Sequence, residues 1–323
     1  MQTARRLLKL RDQAKPVTRV NADEVIAKWE RDAGITLAEA QRQAIYASLE
    51  HGVFVLTGGP GTGKTTVVKG ILNVLEQAGC RILLAAPTGR AARRLADSAG
   101  HPAATVHRLL EYQPTGDGLC FGKDDSDPLD AEAIIIDEAS MLDISLTYHL
   151  LKAIPGGCRL IFVGDVDQLP SVGAGSVLKD MIRSGRMPVV RLEMFRQAEV
   201  SPIVRNAHKI NRGQMPEFLA GADSEFALEE FANEQDAAEF VARTYAQLTS
   251  GGDWRRVQVL TPMHKNPCGV QNLNKLLQKY LNPPSAAKPE VNIPGNVLRI
   301  GDKVMQIRNN YEKDVFQRRH RPC

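Results

Sequence analysis

The sequence predicts an α/β fold in which helices flank a parallel core sheet. Short apolar runs alternate with helical patterns through the first half of the chain, as in parallel strands joined by crossover helices. The runs are apolar at nearly every position, which is typical of strands covered on both faces. Several of them end at glycines or acids, and one leads directly into GGPGTGKTT at 58–66.

Composition sets broad limits on the function. The chain has 323 residues, of which 43% are hydrophobic, so two domains with sizeable cores are expected. Lys and Arg number 41 against 37 acids, a net charge of +4 that permits a nucleic-acid partner without arguing for one. No run of 18 apolar residues occurs, so no membrane span is expected. The five cysteines are scattered, which predicts a reduced, cytoplasmic protein without structural zinc.

The elements of the first unit follow in order from their patterns. Apolar runs at VFVLT, RILLAAP, AEAIIIDE and GCRLIFVGD predict strands at 53–57, 81–87, 131–138 and 157–165. Helical patterns separate them, and the predicted helices span 36–49, 64–77, 89–100 and 144–153. Parallel strands therefore alternate with helices as far as residue 165.

The later part of the chain predicts the start of a second α/β unit. Helical patterns run through His208 and Ile210 and from Ala237 to Leu248. VQVLTP (257–262) and KVMQI (303–307) predict strands, with a helix near 270–281 between them.

Three domain-level segments follow. Residues 1–34 form a helical leader, 35–195 the first domain and 196–323 an incomplete second domain. The leader begins MQTARRLLKLRDQAK, which is typical of a solvated helix or, less well, of a transit peptide, because Asp12 interrupts it. Within the first domain, 111–130 interrupts the rhythm with Gly, Asp and Pro, and is either a surface loop or a small hairpin turning at GDG.

The most specific local motif is the loop after the first strand. GGPGTGKT matches the phosphate-binding pattern at Gly58, Gly63, Lys64 and Thr65, between a strand and a helix as the motif requires. Backbone N–H groups and the helix N-terminus favour phosphate oxygens, Lys64 reaches the β- and γ-phosphates, and Thr65 ligates Mg²⁺. The alternative is an accidental glycine-rich turn. The predicted nucleotide-binding residues of this loop are Gly58, Gly59, Pro60, Gly61, Thr62, Gly63, Lys64, Thr65 and Thr66.

Acidic and amide side chains end two further strands. Asp137 and Glu138 follow AIII, where the first acid can hold a metal and the second can deprotonate water. Gln168 lies three residues beyond a strand that ends at Asp165, in position to sense a γ-phosphate. Taken alone, the acids would be read as a helix cap and the glutamine as part of a loop.

In combination, these motifs resemble the RecD-like superfamily 1 DNA helicases, which include the alpha subunit of exodeoxyribonuclease V. The resemblance covers about residues 22–316. The segments that carry it are LAEAQRQAI, GGPGTGKTT, AAPTGRAARRL, ATVHRLL, IIIDEASMLD, GDVDQLPSVGAG, MFRQAEVSPIVRNAHKIN, VLTPMHKNPCGVQNLNKLLQ and GDKVMQIRNNYEKDVF.

The resemblance implies a RecA-like P-loop NTPase fold and a role for each matching residue. Gln41 reads adenine. The catalytic set is Lys64, Thr65, Asp137, Glu138, Gln168 and Arg196, with Thr65 and Asp137 holding Mg²⁺. Thr88, Gly89, Arg90 and His107 are implied to contact single-stranded DNA, although a histidine on a helix face satisfied by its neighbours is an equal interpretation of His107. Residues 111–130 correspond to the family's strand-splitting hairpin, and 262–269 lies near DNA.

The implied function is an ATP-dependent DNA helicase motor that moves 5′ to 3′ on single-stranded DNA in repair and recombination. Partners would include single-stranded DNA and helicase–nuclease subunits, without a membrane. Two alternatives stay open: a DNA-stimulated ATPase that does not unwind, and a P-loop kinase for small molecules. DEAS and GDVDQLPS favour the helicase over the kinase.

The sequence departs from the family's pattern at both ends. The family's N-terminal region is missing, and after NNYEKDVF the expected NGDxG turn, SH3-like insertion and two late helicase motifs do not follow. The chain instead ends in the basic stretch VFQRRHRPC, which would be a frameshift product, the edge of a gene model or a purposeful tail. We therefore expect a truncated motor.

Overall fold

The computed structural model describes residues 1–115, 118–193, 201–218, 225–252, 254–286, 288–293, 295–305 and 320–322. The chain divides into two compact units, Met1–Pro216 and Glu217–Cys323. The expected domain boundary at residue 195 stays a prediction, and the helix Pro202–Asn211 lies in the first unit. No helix within the described residues has both the length and the apolar character needed to cross a membrane.

The first unit is built from helices around one large sheet, and the predicted α/β fold with a parallel core sheet is confirmed. Its strands are β1 Val53–Gly58, β2 Ile82–Ala86, β3 Ala103–Thr105, β4 Tyr112–Thr115, β5 Gly118–Phe121, β6 Ala133–Ile136, β7 Arg159–Gly164 and β8 Val189–Leu192. Its helices are α1 Gln2–Gln13, α2 Ala22–Ala33, α3 Glu39–Glu50, α4 Lys64–Gln77, α5 Gly89–Ala99, α6 Val106–Leu109, α7 Ile144–Ala153, α8 Val177–Arg183 and α9 Pro202–Asn211.

Six of these strands form the central sheet, in the order β3-β2-β6-β7-β1-β8. Every adjacent pair runs parallel; for example, Val53 of β1 lies opposite Leu160 of β7. The carboxyl ends of all six strands therefore meet along one edge, which is where open α/β sheets bind ligands.

Alternation along the strands produces two hydrophobic cores, one on each face of the sheet. In β1, Val53 and Val55 belong to the first core with α1 and α7, while Phe54 and Leu56 belong to the second with α3 and α4. All the residues of β1 are buried. Burial on both faces explains why the strand sequences are continuously apolar.

The N-terminal helix belongs to the first core, so the expectation of a solvated leader is wrong for one of its faces. Leu7 and Leu10 of α1 are buried against the sheet and α7. The polar face is also anchored, because both guanidinium nitrogens of Arg6 donate to the Asp125 carboxylate at 2.7 and 2.6 Å. The C-terminal end of α1 packs closely against Gly52, because a Cβ added to this glycine would lie 2.6 Å from the Cβ of Ala14, the residue that follows the helix.

Residues 111–130 contain an antiparallel strand pair. Tyr112 of β4 lies opposite Phe121 of β5, and the first two residues of the predicted GDG turn, 116–117, lie outside the described residues. Tyr112 and Phe121 of this pair pack with His107 and His149, and we call these four residues the aromatic cluster. Ring centroids in this aromatic cluster are 4.5 Å apart for Phe121 and His149 and 5.6 Å for His107 and Tyr112.

The second unit was predicted to be the start of a second α/β unit. It contains α10 Glu234–Leu248, α11 Val270–Leu281, β9 Glu290–Ile293, β10 Asn296–Arg299, β11 Lys303–Met305 and β12 His320–Pro322. In its described part, the strands pair only as β9–β10 and β11–β12, both antiparallel.

The strand predicted at 257–262 is wrong, because the structure has no strand there. Leu260 is 87% exposed, and the segment pairs with no strand among the described residues. An apolar run is a stable strand only when a sheet pairs its backbone and covers its side chains.

Candidate functional site: the carboxyl edge of the parallel sheet

The phosphate-binding loop connects β1 to α4 at the carboxyl edge. Gly61 and Gly63 have φ of 73° and 85°, a conformation that side-chain-bearing residues rarely adopt. Lys64 is the first residue of α4, and its ammonium donates to the carbonyl oxygens of Gly58 at 2.5 Å and Gly59 at 2.9 Å. The loop therefore closes around its own lysine, at a helix N-terminus that favours anions.

Close packing explains two of the loop's glycines. An added Cβ at Gly58 would lie 2.6 Å from the hydroxyl of Thr62 and 2.9 Å from the carbonyl oxygen of Leu192. At Gly63 it would collide with the side-chain amide of Gln41. Gln41 donates to the Thr62 carbonyl at 3.4 Å and accepts from the Ala38 amide at 2.9 Å. The structure thus places the predicted adenine-reading residue against the phosphate loop.

Two carboxylates follow β6 at the same edge. Asp137 accepts from the backbone N–H of Glu138 at 2.9 Å. Burial raises the pKa of the Asp137 carboxyl, and burial followed by repulsion from Asp137 raises that of Glu138. Glu138 has φ of 51°, a left-handed conformation that is costly for a residue with a side chain. A raised pKa makes a carboxylate a stronger base, which suits proton abstraction from water.

A third carboxylate, Asp165, was not among the predicted site residues. It follows β7, its side chain is 4% exposed, and it accepts from the Asp167 amide at 3.0 Å. Burial lowers the pKa of the Lys64 ammonium, whereas Asp165, Asp137 and Glu138 raise it, in that order of size. An acid at the end of a buried strand is the sequence signal that could have identified it, since Asp137 was found in that way.

Arg94 is a second residue that sequence reasoning missed. It lies in α5, and its guanidinium donates to the Glu138 carboxylate at 3.0 Å. The two residues are 44 positions apart, so no spacing rule connects them.

The remaining predicted site residues lie at different depths. Thr65 and Gln168 are exposed, Thr66 is partly buried, and the backbone N–H of Gln168 donates to the Asp165 carbonyl at 3.2 Å. Arg196 lies outside the described residues.

The predicted DNA segment caps a helix. The hydroxyl of Thr88 accepts from the Ala91 amide at 3.3 Å at the start of α5, and Gly89 and Arg90 follow, both of them at the surface. His107 instead lies half-buried in the aromatic cluster, where burial lowers its pKa. The ring is packed at the base of the β4–β5 pair, and its contact with DNA stays a prediction.

Two family models match the chain. One, described as an AAA domain, matches residues 41–174. The other, described as the SH3 domain of the ATP-dependent RecD-like DNA helicase, matches residues 273–317. The expectation that the SH3-like segment would lie beyond Phe316 is therefore wrong. KVMQI was predicted to be a strand of a second α/β unit, and within it Lys303–Met305 pairs antiparallel with His320–Pro322.

Curated relatives align with most of the chain but with the lesser part of their own length. The ATP-dependent RecD2 DNA helicase of Deinococcus radiodurans is 39% identical over 281 residues, which are 87% of this chain and 37% of that protein. The RecBCD enzyme subunit RecD of Mycobacterium tuberculosis is 36% identical over 228 residues, 63% of this chain and 38% of the relative.

Among solved structures, the Pif1 helicase from Candida albicans is 19% identical with a TM-score of 0.43, over 85% of this chain and 66% of that one. The chain spans little more than a third of the length of the RecD2 and RecD relatives described above.

Proposed function

We propose that this chain, which belongs to the RecD-like DNA helicase family, is the ATP-hydrolysing motor of a helicase that moves 5′ to 3′ on single-stranded DNA. One observation carries the proposal: Lys64 begins α4 after the phosphate-binding loop, and Asp137, Glu138 and Asp165 follow β6 and β7 at the same carboxyl edge of the sheet. A lone glycine-rich turn would not bring a half-buried lysine beside three acids.

Nucleotide binding follows from the loop. The backbone amides of 58–66 and the N-terminus of α4 receive the phosphates. The Lys64 ammonium exchanges the carbonyl oxygens of Gly58 and Gly59 for phosphate oxygens, which are stronger acceptors because they are charged. Gln41 lies at the back of the loop, where it reads the base.

Thr65 and Asp137 fit a Mg²⁺ site completed by the nucleotide. Magnesium is usually held by one or two carboxylates together with substrate phosphates rather than by an all-protein cage. Among the described residues, no cluster of three or more His, Cys, Asp or Glu side chains could hold a metal by itself, in keeping with that arrangement. When bound, the ion neutralises charge on the phosphates.

Hydrolysis then depends on Glu138. Its carboxylate takes a proton from the attacking water, and burial keeps that carboxylate basic. Gln168 senses the γ-phosphate, and Arg196 supplies positive charge where negative charge develops. Burial lowers the pKa of the Lys64 ammonium, and Asp165 and Asp137 oppose that shift and so favour its charged form.

Single-stranded DNA is proposed to lie along Thr88, Gly89 and Arg90, with the β4–β5 pair and His107 close to the point of strand separation. Phosphate contacts would dominate its affinity and make it depend on salt. Helicase–nuclease subunits are proposed as partners by analogy with the RecBCD subunit. The four described cysteines are free, in keeping with a reducing cytoplasm.

A second candidate is a DNA-stimulated ATPase that does not unwind. It is favoured by the described part of the second unit, which contains short antiparallel pairs rather than a second parallel sheet. A fork with a 5′ single-stranded tail separates the two candidates, because only the helicase releases the annealed strand. A small-molecule kinase would not release the annealed strand of the fork, and DNA would not change its ATP turnover.

The test measures ATP turnover with and without a single-stranded oligonucleotide, in the wild type and in Glu138→Gln. We expect DNA to raise wild-type turnover. We also expect Glu138→Gln to keep ATP binding while losing roughly 10²–10⁴-fold in turnover, because an amide cannot accept the proton. Glu76→Gln, which changes an exposed acid of α4, is the matched control. Full turnover in Glu138→Gln, or a wild type indifferent to DNA, contradicts the proposal.

A further inference from the structure

Arg94 connects the predicted DNA segment with the hydrolytic carboxylate. It belongs to α5, the helix that begins at Thr88–Arg90, and it donates to Glu138 at 3.0 Å. The side chain of Arg94 is 70% exposed and that of Glu138 is 18% exposed. The arginine is therefore open to a competing ligand, whereas its partner lies inside the site.

The face of α5 that carries Arg94 continues from the DNA segment. Arg90 and Arg94 are four residues apart, so they lie one above the other on the same side of the helix. Ala92 and Leu95 face the interior instead and are buried. A strand whose backbone lies along the first turn of α5 brings its next phosphates towards Arg94.

Glu138 is suited to movement. Its backbone is in the left-handed region, and its amide is held by Asp137, which fixes the main chain but not the carboxylate. Strained residues of this kind are retained where the surroundings hold them and are concentrated at switching sites. Arg94 contributes the only ion pair of Glu138 among the described residues.

We propose that Arg94 acts as a latch that makes hydrolysis respond to DNA; this rests on the proposed function of the site. Without DNA, the guanidinium holds the Glu138 carboxylate, so that its oxygen is engaged and turned away from the attacking water. A backbone phosphate of the single strand takes over the guanidinium, because it accepts bidentate hydrogen bonds from arginine. The released carboxylate then accepts the proton of water. Arg94 is thus a positioning residue, not a catalytic one.

The test compares Arg94→Gln with Arg93→Gln in the full chain. Arg93 is its neighbour on α5, is 71% exposed, and pairs only at 3.9 Å with Asp97, which is also exposed. Turnover is measured at saturating ATP, with and without an oligothymidylate. For Arg94→Gln we expect DNA-free turnover about two- to fivefold above wild type, the size that loss of a largely exposed ion pair allows. The ratio of DNA-stimulated to DNA-free turnover falls towards one, while Arg93→Gln matches the wild type.

Arg94→Lys provides the rescue. A lysine keeps the positive charge that holds Glu138, so DNA-free turnover stays low. Its ammonium cannot form the paired hydrogen bonds that a guanidinium makes with a phosphate, so DNA releases Glu138 less well and stimulation is weaker than in the wild type. Lower DNA-free turnover in Arg94→Gln overturns the latch and makes Arg94 a residue that holds Glu138 in its productive position. An unchanged ratio also overturns it. A wild type that ignores DNA refutes the proposed function, whereas the DNA-free rate of Arg94→Gln still decides whether Arg94 restrains Glu138.

Discussion

The two units of the chain differ in how much of their structure they bury. In Met1–Pro216 the six-stranded sheet is covered on both faces, and all the residues of β1 and β7 are buried. In Glu217–Cys323 all four residues of β9 are exposed, and the buried apolar residues of the described part are Ala238, Ala242, Tyr245 and Leu273. The first unit therefore has a framework rigid enough to position a reactive site, and the second has little core to hold one.

The largest expected effect tests whether the chemistry resides in the first unit. Lys64→Ala removes the ammonium that meets the phosphates, and we expect turnover to fall roughly 10²–10³-fold, the cost of losing one preorganised transition-state donor. Thermal unfolding should change far less than turnover, because the hydrogen bonds of Lys64 reach only loop carbonyls, although the acids at the site lose a neighbouring positive charge.

Lys69→Ala is the matched control for that change. Lys69 lies on the same helix and is exposed, so its removal should leave turnover intact. Equal losses in the two variants would assign the effect to α4 as a whole and not to the phosphate contact.

The next prediction concerns stability and uses the two tryptophans, Trp29 in the first unit and Trp254 in the second. Phe162→Ala empties a fully buried position in β7, and we expect it to cost about 3–5 kcal/mol of unfolding free energy. Leu273→Ala makes the corresponding change in α11. Because Phe162 and Leu273 lie in different compact units, each substitution should lower only the transition of its own unit.

Denaturant unfolding followed by fluorescence checks this expectation. In a Trp254→Phe background Trp29 reports on the first unit, and in a Trp29→Phe background Trp254 reports on the second. If Phe162→Ala moves both transitions together, the units unfold as one, and the contrast between them has no thermodynamic meaning.

The contrast also explains which features could be predicted from the sequence. Strands such as Ala133–Ile136 are evident because burial on both faces makes them uniformly apolar over a short window. Lys64 lies in the loop after the predicted strand 53–57, and Asp137 and Glu138 end the predicted strand 131–138, so their positions at the sheet edge could be predicted, although their chemical roles stay predictions.

Features that depend on distant partners could not be predicted. Arg94 and Glu138 meet only through the packing of α5 beside β2 and of β2 beside β6. VQVLTP carries a strand pattern, but pairing and not composition decides whether an apolar run is a strand. The N-terminal helix was expected to be solvated, yet its Leu7 and Leu10 enter the core.

A smaller effect is expected for DNA contacts, where both units carry a predicted segment. Arg90→Ala in the first unit and Lys265→Ala in the second each remove one exposed positive charge. Each should reduce the salt dependence of single-strand binding by about one phosphate contact, which corresponds to a slope change of about 0.7. Filter binding at several salt concentrations measures it.

Lys69→Ala serves as the control here too, since α4 is not predicted to contact DNA. If the salt dependence of single-strand binding changes for Arg90→Ala but not for Lys265→Ala, the phosphate contacts lie in the first unit. An affinity and slope unchanged in Arg90→Ala would remove this residue from the predicted DNA segment.

The smallest expected effect is a pH dependence confined to the first unit. Burial lowers the pKa of His107 below its ordinary value, partly opposed by Asp143, and burial with Lys152 lowers that of His149. The folded state thus takes up protons less readily than the unfolded state. This contribution to stability is complete above the ordinary pKa, about 6.5, and declines as the pH falls towards the folded-state values.

His107→Phe keeps an aromatic ring in the aromatic cluster but cannot titrate, so it should reduce the loss of Tm between pH 7.5 and pH 5.5. The change should be below about 4 °C, the shift that 1 kcal/mol gives for a domain of this size. His264→Gln, at an exposed position of the second unit, should leave the loss as it is in the wild type. Thermal melts in a Trp254→Phe background isolate the first unit. If His107→Phe loses as much Tm between pH 7.5 and pH 5.5 as the wild type does, protonation of the buried ring is not what destabilises this unit in acid. The difference in burial between the two units would then not make them differ in their response to pH.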